Sequence, residues 1–67
     1  MYMTIKYDHE TDAIYMILSK DNIVESEERS KDVIVDYNEN DEVVAIEILK
    51  VKENEHTIDL PLILKSA

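Results

Sequence analysis

Asp8, Glu10 and Asp12 alternate along the stretch "DHETDA", with His9 beside them. Three carboxylates and an imidazole are the ingredients of a divalent-cation site. A second set lies in "DYNENDEVVAIE", residues 36–47. There Asp36, Asn38, Asn40 and Glu47 carry the spacing of the oxygen ligands in an EF-hand calcium loop. Cation binding, or metal-dependent catalysis through paired carboxylates such as Asp36 and Glu47, is the chemistry these residues could do.

The elements around the two sets point to turns. An EF-hand loop lies between helices and has Gly at its sixth position, which here is Asp41. Its flanks, "VIV" and "VVAIEI", alternate like strands, and "ESEERSKD" before them lacks the apolar stripe of an entering helix. The pattern predicts a hairpin with loop 38–41, with Tyr37 opposite Glu42 and Val35 opposite Val44. That register puts Val33, Val35, Tyr37, Val44, Ile46 and Ile48 on one face. Asp36 and Glu47 then fall on the other face, with Ile34, Val43 and Leu49. The chain has no glycine, so left-handed backbone falls to Asn and Asp, and Asn38, Asn40 and Asp41 stand where that demand arises. On this reading Asn40→Ala weakens the hairpin. In the first set, Asp can bond its own backbone to form the turn. Tyr7 then faces Ile14, Ile5 faces Met16, and Met3 faces Leu18.

Four stretches read as strands: residues 2–7, 13–18, 32–37 and 42–49. Between the second and third lies "SKDNIVESEERS", in which Ile23 and Val24 could extend a strand and "ESEERS" is solvated. No segment before residue 50 shows a helical period. The expected fold is mainly β, with a β-rich α+β arrangement as the variant. It is an antiparallel meander of about four strands followed by a short C-terminal segment. That segment contains "TIDLPLILKSA", in which Pro61 excludes a central strand. A short helix capped by Asp59 or an edge strand remain open for it. The chain reads as one domain, 1–67, with a tail from residue 50.

Composition removes whole classes of function. Sixteen acidic residues against seven basic ones give a net charge of -9, with the basic residues scattered. Nucleic acid and anionic membranes both need a basic patch, and none is readable. No apolar run is long enough to span a membrane. Without cysteine there are no disulfides, thiolate metal sites or cysteine nucleophiles. Without glycine there is no glycine-rich phosphate loop. His9 and His56 are isolated, and no serine has a His–Asp neighbourhood in the sequence. No catalytic residue, cofactor-binding residue or cofactor is assigned. Asp8, Glu10, Asp12, Asp36 and Glu47 are the metal candidates.

Three features in order resemble the DUF2283 family of small prokaryotic domains. They are "IKYDHETDAIYMIL", "VESEE" and "VIVDYNENDEVVAIEIL", together covering roughly residues 3–49. Where that family commonly has Gly, this chain has Asp32, Asp41 and Ala45. The resemblance implies a small soluble β-rich domain of prokaryotes or their mobile elements. It brings no established activity and no catalytic residues.

The expected function is a non-catalytic protein-interaction or regulatory module in the cytoplasm, such as the acidic half of a toxin–antitoxin-like pair masking a basic protein. The alternative is a small metal-dependent enzyme or cation-binding protein using the acidic turns. A chain of 67 residues buries only roughly 60% of its unfolded surface. Both sheet faces carry apolar side chains, so a homodimer or higher oligomer is expected, with residues 58–64 and the Tyr15/Ile17 face at the interface.

Overall fold

The computed structural model describes residues 3–54. They form one antiparallel sheet of β1 (Thr4–Asp8), β2 (Ala13–Ile17), β3 (Glu25–Ser30), β4 (Val33–Tyr37) and β5 (Val43–Ile48). The strand order is β1-β2-β5-β4-β3. A hairpin, β1–β2, therefore lies beside a three-stranded meander, β3–β4–β5, and the link 18–24 carries the chain to the far edge. The mainly-β antiparallel class expected from the alternating pattern holds. The fifth strand is "ESEERS", which pairs with β4 although all six of its residues are exposed. The notion of a C-terminal helix or edge strand falls on residues outside those described, as does the 58–64 segment.

The first hairpin has the expected register, with Tyr7 opposite Ile14 and Ile5 opposite Met16. The β4–β5 register differs by two residues: Val35 faces Ile46, and Val33 faces Ile48. The pairing shifts between Asp36 and Tyr37, where Val44 is the extra residue of a bulge. A shift of two preserves which side chains share a face, so the core survives the misreading. Val33, Val35, Ile46 and Ile48 are buried on one face, joined by Val51 from beyond β5. Ile14, Met16, Leu18 and Tyr37 flank them, and the bulge brings in Val43 as well. The β1 end of this face stays open: Met3, Ile5 and Tyr7 are 42%, 61% and 47% exposed, where the sequence pattern places them in the core.

Residues 49–54 tie down two turns. Leu49 N–H donates to the Asp32 carbonyl at 2.8 Å, and Val51 N–H donates to the Asp12 carbonyl at 3.2 Å. Lys52 N–H reaches Asp12 Oδ2 at 2.9 Å, and the Asn54 amide reaches Asp32 Oδ2 at 3.4 Å.

With no glycine in the chain, left-handed backbone is taken by Asp12 (φ 54), Asp32 (φ 63), Asp41 (φ 60) and Lys50 (φ 52). Asn40 is not among them, so its expected sensitivity to Ala loses its basis. Asp32 and Asp41 occupy two of the positions where the resembling family has Gly. Asp41→Gly is therefore expected to be neutral or to stabilise by up to about 1 kcal/mol, and Asp41→Val to cost about 1–2 kcal/mol. Urea midpoints of the two variants against the parent check both signs.

Candidate functional site

The carboxylates of the first turn are engaged by the chain itself. Asp8 Oδ1 accepts the Glu10 and Thr11 N–H groups at 3.0 and 3.5 Å. Asp12 accepts the Tyr7 hydroxyl at 2.7 Å as well as Lys52 N–H. Its carboxylate holds the Tyr7 phenol above the ordinary range, first through that hydrogen bond. His9 and Glu10 are exposed at the tip. The bonded oxygens of Asp8 and Asp12 are taken up by the turn's own backbone, the Tyr7 hydroxyl and Lys52 N–H rather than directed to a common centre.

The 36–47 window divides between two places. Asp36 and Glu47 lie inside β4 and β5, while Asn38 builds the turn between them. Asn38 is 6% exposed and makes use of its whole amide. Its Oδ1 accepts the Asn40 and Glu42 N–H groups, both at 2.9 Å. Its Nδ2 donates to Glu42 Oε1 at 3.0 Å and to Asp21 Oδ2 at 3.1 Å. An amide has two donor hydrogens and two acceptor lone pairs, so the group is saturated. The Asp21 bond anchors the 18–24 link to the hairpin. Beside it opens a cleft of about 470 Å³ lined by Lys20, Asp21, Asn22, Val24, Asn38, Glu39 and Asn40. Its lining is polar, and the amide at its edge has no capacity left for a ligand.

The remaining candidate is the sheet face opposite the core. Across it run two rows set by the register: Thr4–Ile17–Ala45–Asp36–Ser26 and Lys6–Tyr15–Glu47–Ile34–Glu28. Asp36 and Glu47 are diagonal neighbours on adjacent strands. Asp36 is 4% exposed, and its Oδ1 accepts the Ser26 hydroxyl at 2.5 Å. Glu47 is half-buried beside it. Burial first, then the Asp36 charge and a hydrogen bond between the two carboxyls, raises the Glu47 pKa above its ordinary 4.5. Two carboxyls so placed can share a proton. Their surroundings are flat strand and the apolar side chains of Ile17, Ile34 and Ala45, with Tyr15 alongside. Among the described residues no three Asp, Glu or His side chains converge as a metal site would require. Sequence reasoning found this pair but missed Ser26 as its partner, because β3 carries no apolar period to betray it as a strand.

The family model described as "Protein of unknown function (DUF2283)" matches residues 4–52. The chain belongs to the DUF2283 family. The match begins at the first residue of β1 and ends at Lys52, so the Leu49, Val51 and Lys52 bonds to Asp32 and Asp12 lie within the DUF2283 region and the Asn54 bond lies just beyond it. No curated protein and no solved structure matches the chain. Among the described residues no helix is long and apolar enough to cross a membrane.

Proposed function

We propose that this DUF2283 chain is a non-catalytic protein-interaction module that engages a basic partner in a regulatory pair of the toxin–antitoxin kind, in a prokaryotic cytoplasm. The observation that carries the reading is β3. It is an edge strand with all six residues exposed, and it presents Glu25, Glu27 and Glu28 on a chain whose net charge is -9. Arg29 pairs with Glu27 at 3.5 Å and bonds the Tyr37 hydroxyl at 3.3 Å, so it offsets one of the three glutamates and leaves the strand at a net -2. Such an edge repels its own kind and attracts cationic surfaces.

The test compares the parent with a variant carrying Glu25→Gln, Glu27→Gln and Glu28→Gln together, each used to capture proteins from native cells. A basic protein is expected on the parent, with roughly ten-fold less on the variant and less again at raised salt. Equal capture by both, or capture of no basic protein, overturns the reading. The Asp36/Glu47 pair supports a second reading, cation binding. Saturable stabilisation by a divalent ion, abolished by Asp36→Asn, would favour it.

A further inference from the structure

The two edges of the sheet are unlike. β3 carries three glutamates and one arginine, a net -2, and buries nothing. β1 carries Lys6 and Asp8, a net of zero, and beside them the exposed apolar side chains Ile5 and Tyr7, with Met3 just ahead of the strand. These three are continuous with the core face: Ile5 lies next to Met16, Met16 next to Ile46, and Ile46 next to Val35.

The hydrogen-bond pattern fixes which backbone groups of β1 face outward. Leu18 N–H donates to the Val44 carbonyl at 2.8 Å, so the even-numbered residues of β2 bond toward β5. The odd-numbered residues of β2 therefore bond toward β1, where their partners are Thr4, Lys6 and Asp8. Ile5 and Tyr7 alternate with these and direct N–H and C=O away from β2.

We propose that β1 is the contact edge of a homodimer, in which two copies of this chain pair antiparallel about Ile5. Within β1 the outward-facing residues are Ile5 and Tyr7, and three registers pair them with each other. Pairing Ile5 with Tyr7 sets Lys6 against Lys6, which repels. Pairing Tyr7 with Tyr7 drives Ile5 against His9, into the 9–12 turn. Pairing Ile5 with Ile5 sets Thr4 against Lys6 and Met3 against Tyr7, with no like charges opposed. It also joins the two core faces into one apolar belt, Val35–Ile46–Met16–Ile5 meeting Ile5 of the second copy. The belt covers the side chains that the single chain leaves most exposed on this face. The contact is set by β1 rather than by the Tyr15/Ile17 face, whose side chains are already half-buried. It does not rest on the proposed role of β3.

The test uses the full chain and light scattering at micromolar concentration. The parent is expected to be a dimer that added salt does not dissociate. Ile5→Arg is expected to give a monomer with an unchanged far-ultraviolet spectrum. Ile5→Pro removes an outward-facing N–H without touching the β1–β2 ladder, and it is also expected to be monomeric. Since the chain has no cysteine, Ile5→Cys should oxidise to a covalent dimer and Glu28→Cys should not. A monomeric parent, a dimer that survives both Ile5→Arg and Ile5→Pro, or cross-linking at position 28 instead of position 5 overturns the proposal.

Discussion

Asn38→Asp is expected to destabilise the fold by about 2 kcal/mol at neutral pH, although the two side chains have the same shape. The new carboxylate keeps both backbone N–H groups that Asn38 Oδ1 accepts. It loses the two donations to Asp21 and Glu42 and sets like charges at what are now contacts of 3.0 and 3.1 Å. Asn38→Ala is expected to cost about 2–3 kcal/mol, since it abandons all four bonds at a buried position. Acidity distinguishes the two variants. Protonating the carboxylates removes the repulsion, so the Asp variant should recover toward the parent near pH 4, while the Ala variant should not. Losses of this size are a large part of the stability of a domain this small, so urea midpoints at the two pH values will resolve them. An Asp variant matching the parent at pH 7 would mean that the amide does not hold the 18–24 link in place.

Glu47→Gln is expected to stabilise at neutral pH, the opposite of most changes at half-buried positions. The folded chain holds the Glu47 proton more tightly than the unfolded chain, where the pKa is the ordinary 4.5. Below that value both states are protonated and the group is neutral toward folding. As pH rises through the folded pKa, the fold must release a proton it binds preferentially, and stability falls. Gln keeps a donor for Asp36 and removes the charge. The expected gain is up to about 1 kcal/mol, or roughly 4–8 °C in melting temperature. It should shrink to nothing as both proteins are brought toward pH 4. The groups around Glu47 are Lys6 and Tyr15 on one side, Asp36 diagonally, and Glu28 beyond Ile34. Glu53→Gln, at an exposed site, controls for the change in net charge. A Glu47→Gln gain no larger than that control, or one that persists at pH 4, would remove the shared proton as its cause.

Strands with one buried face were legible in the sequence, because burial imposes a period of two. β2, β4 and β5 announce themselves through Met16, Val35 and Ile46, and β1 alternates in the same way although Ile5 stays exposed. β3 does not, because "ESEERS" has neither face buried, and its attachments are backbone bonds, Ser26 on Asp36 and Arg29 on the Tyr37 hydroxyl. The Val44 bulge has no compositional mark, yet it moves Val43 into the core and adds one residue to the register offset, the other coming from the turn, where Tyr37 faces Val43. The carboxylate pair was legible as a shared face. Ile34 on that face pointed to partial desolvation, but the near-complete burial of Asp36 was not legible, since it depends on β3 lying beside it with Ser26. Asn38 and Asn40 look equivalent in sequence. Only the folded turn makes one a saturated hub and the other a donor to it. Lys50 in left-handed backbone carries no signal at all.

The strand order also governs how the chain must be built during synthesis. β5, in the middle of the sheet, is the last of the five described strands to leave the ribosome. The β1–β2 and β3–β4 hairpins can each close as they emerge, since their partners are adjacent in the chain. Neither hairpin is stable alone, for a two-stranded ribbon buries too little. They become neighbours only when β5 inserts between β2 and β4 and brings Ile46 and Ile48 to the core. Assembly of this sheet therefore waits on β5 and on the 49–54 stretch that fastens Asp12 and Asp32. Until then the nascent chain displays the inner edges of β2 and β4, the two places where β5 must pair before a stranger does.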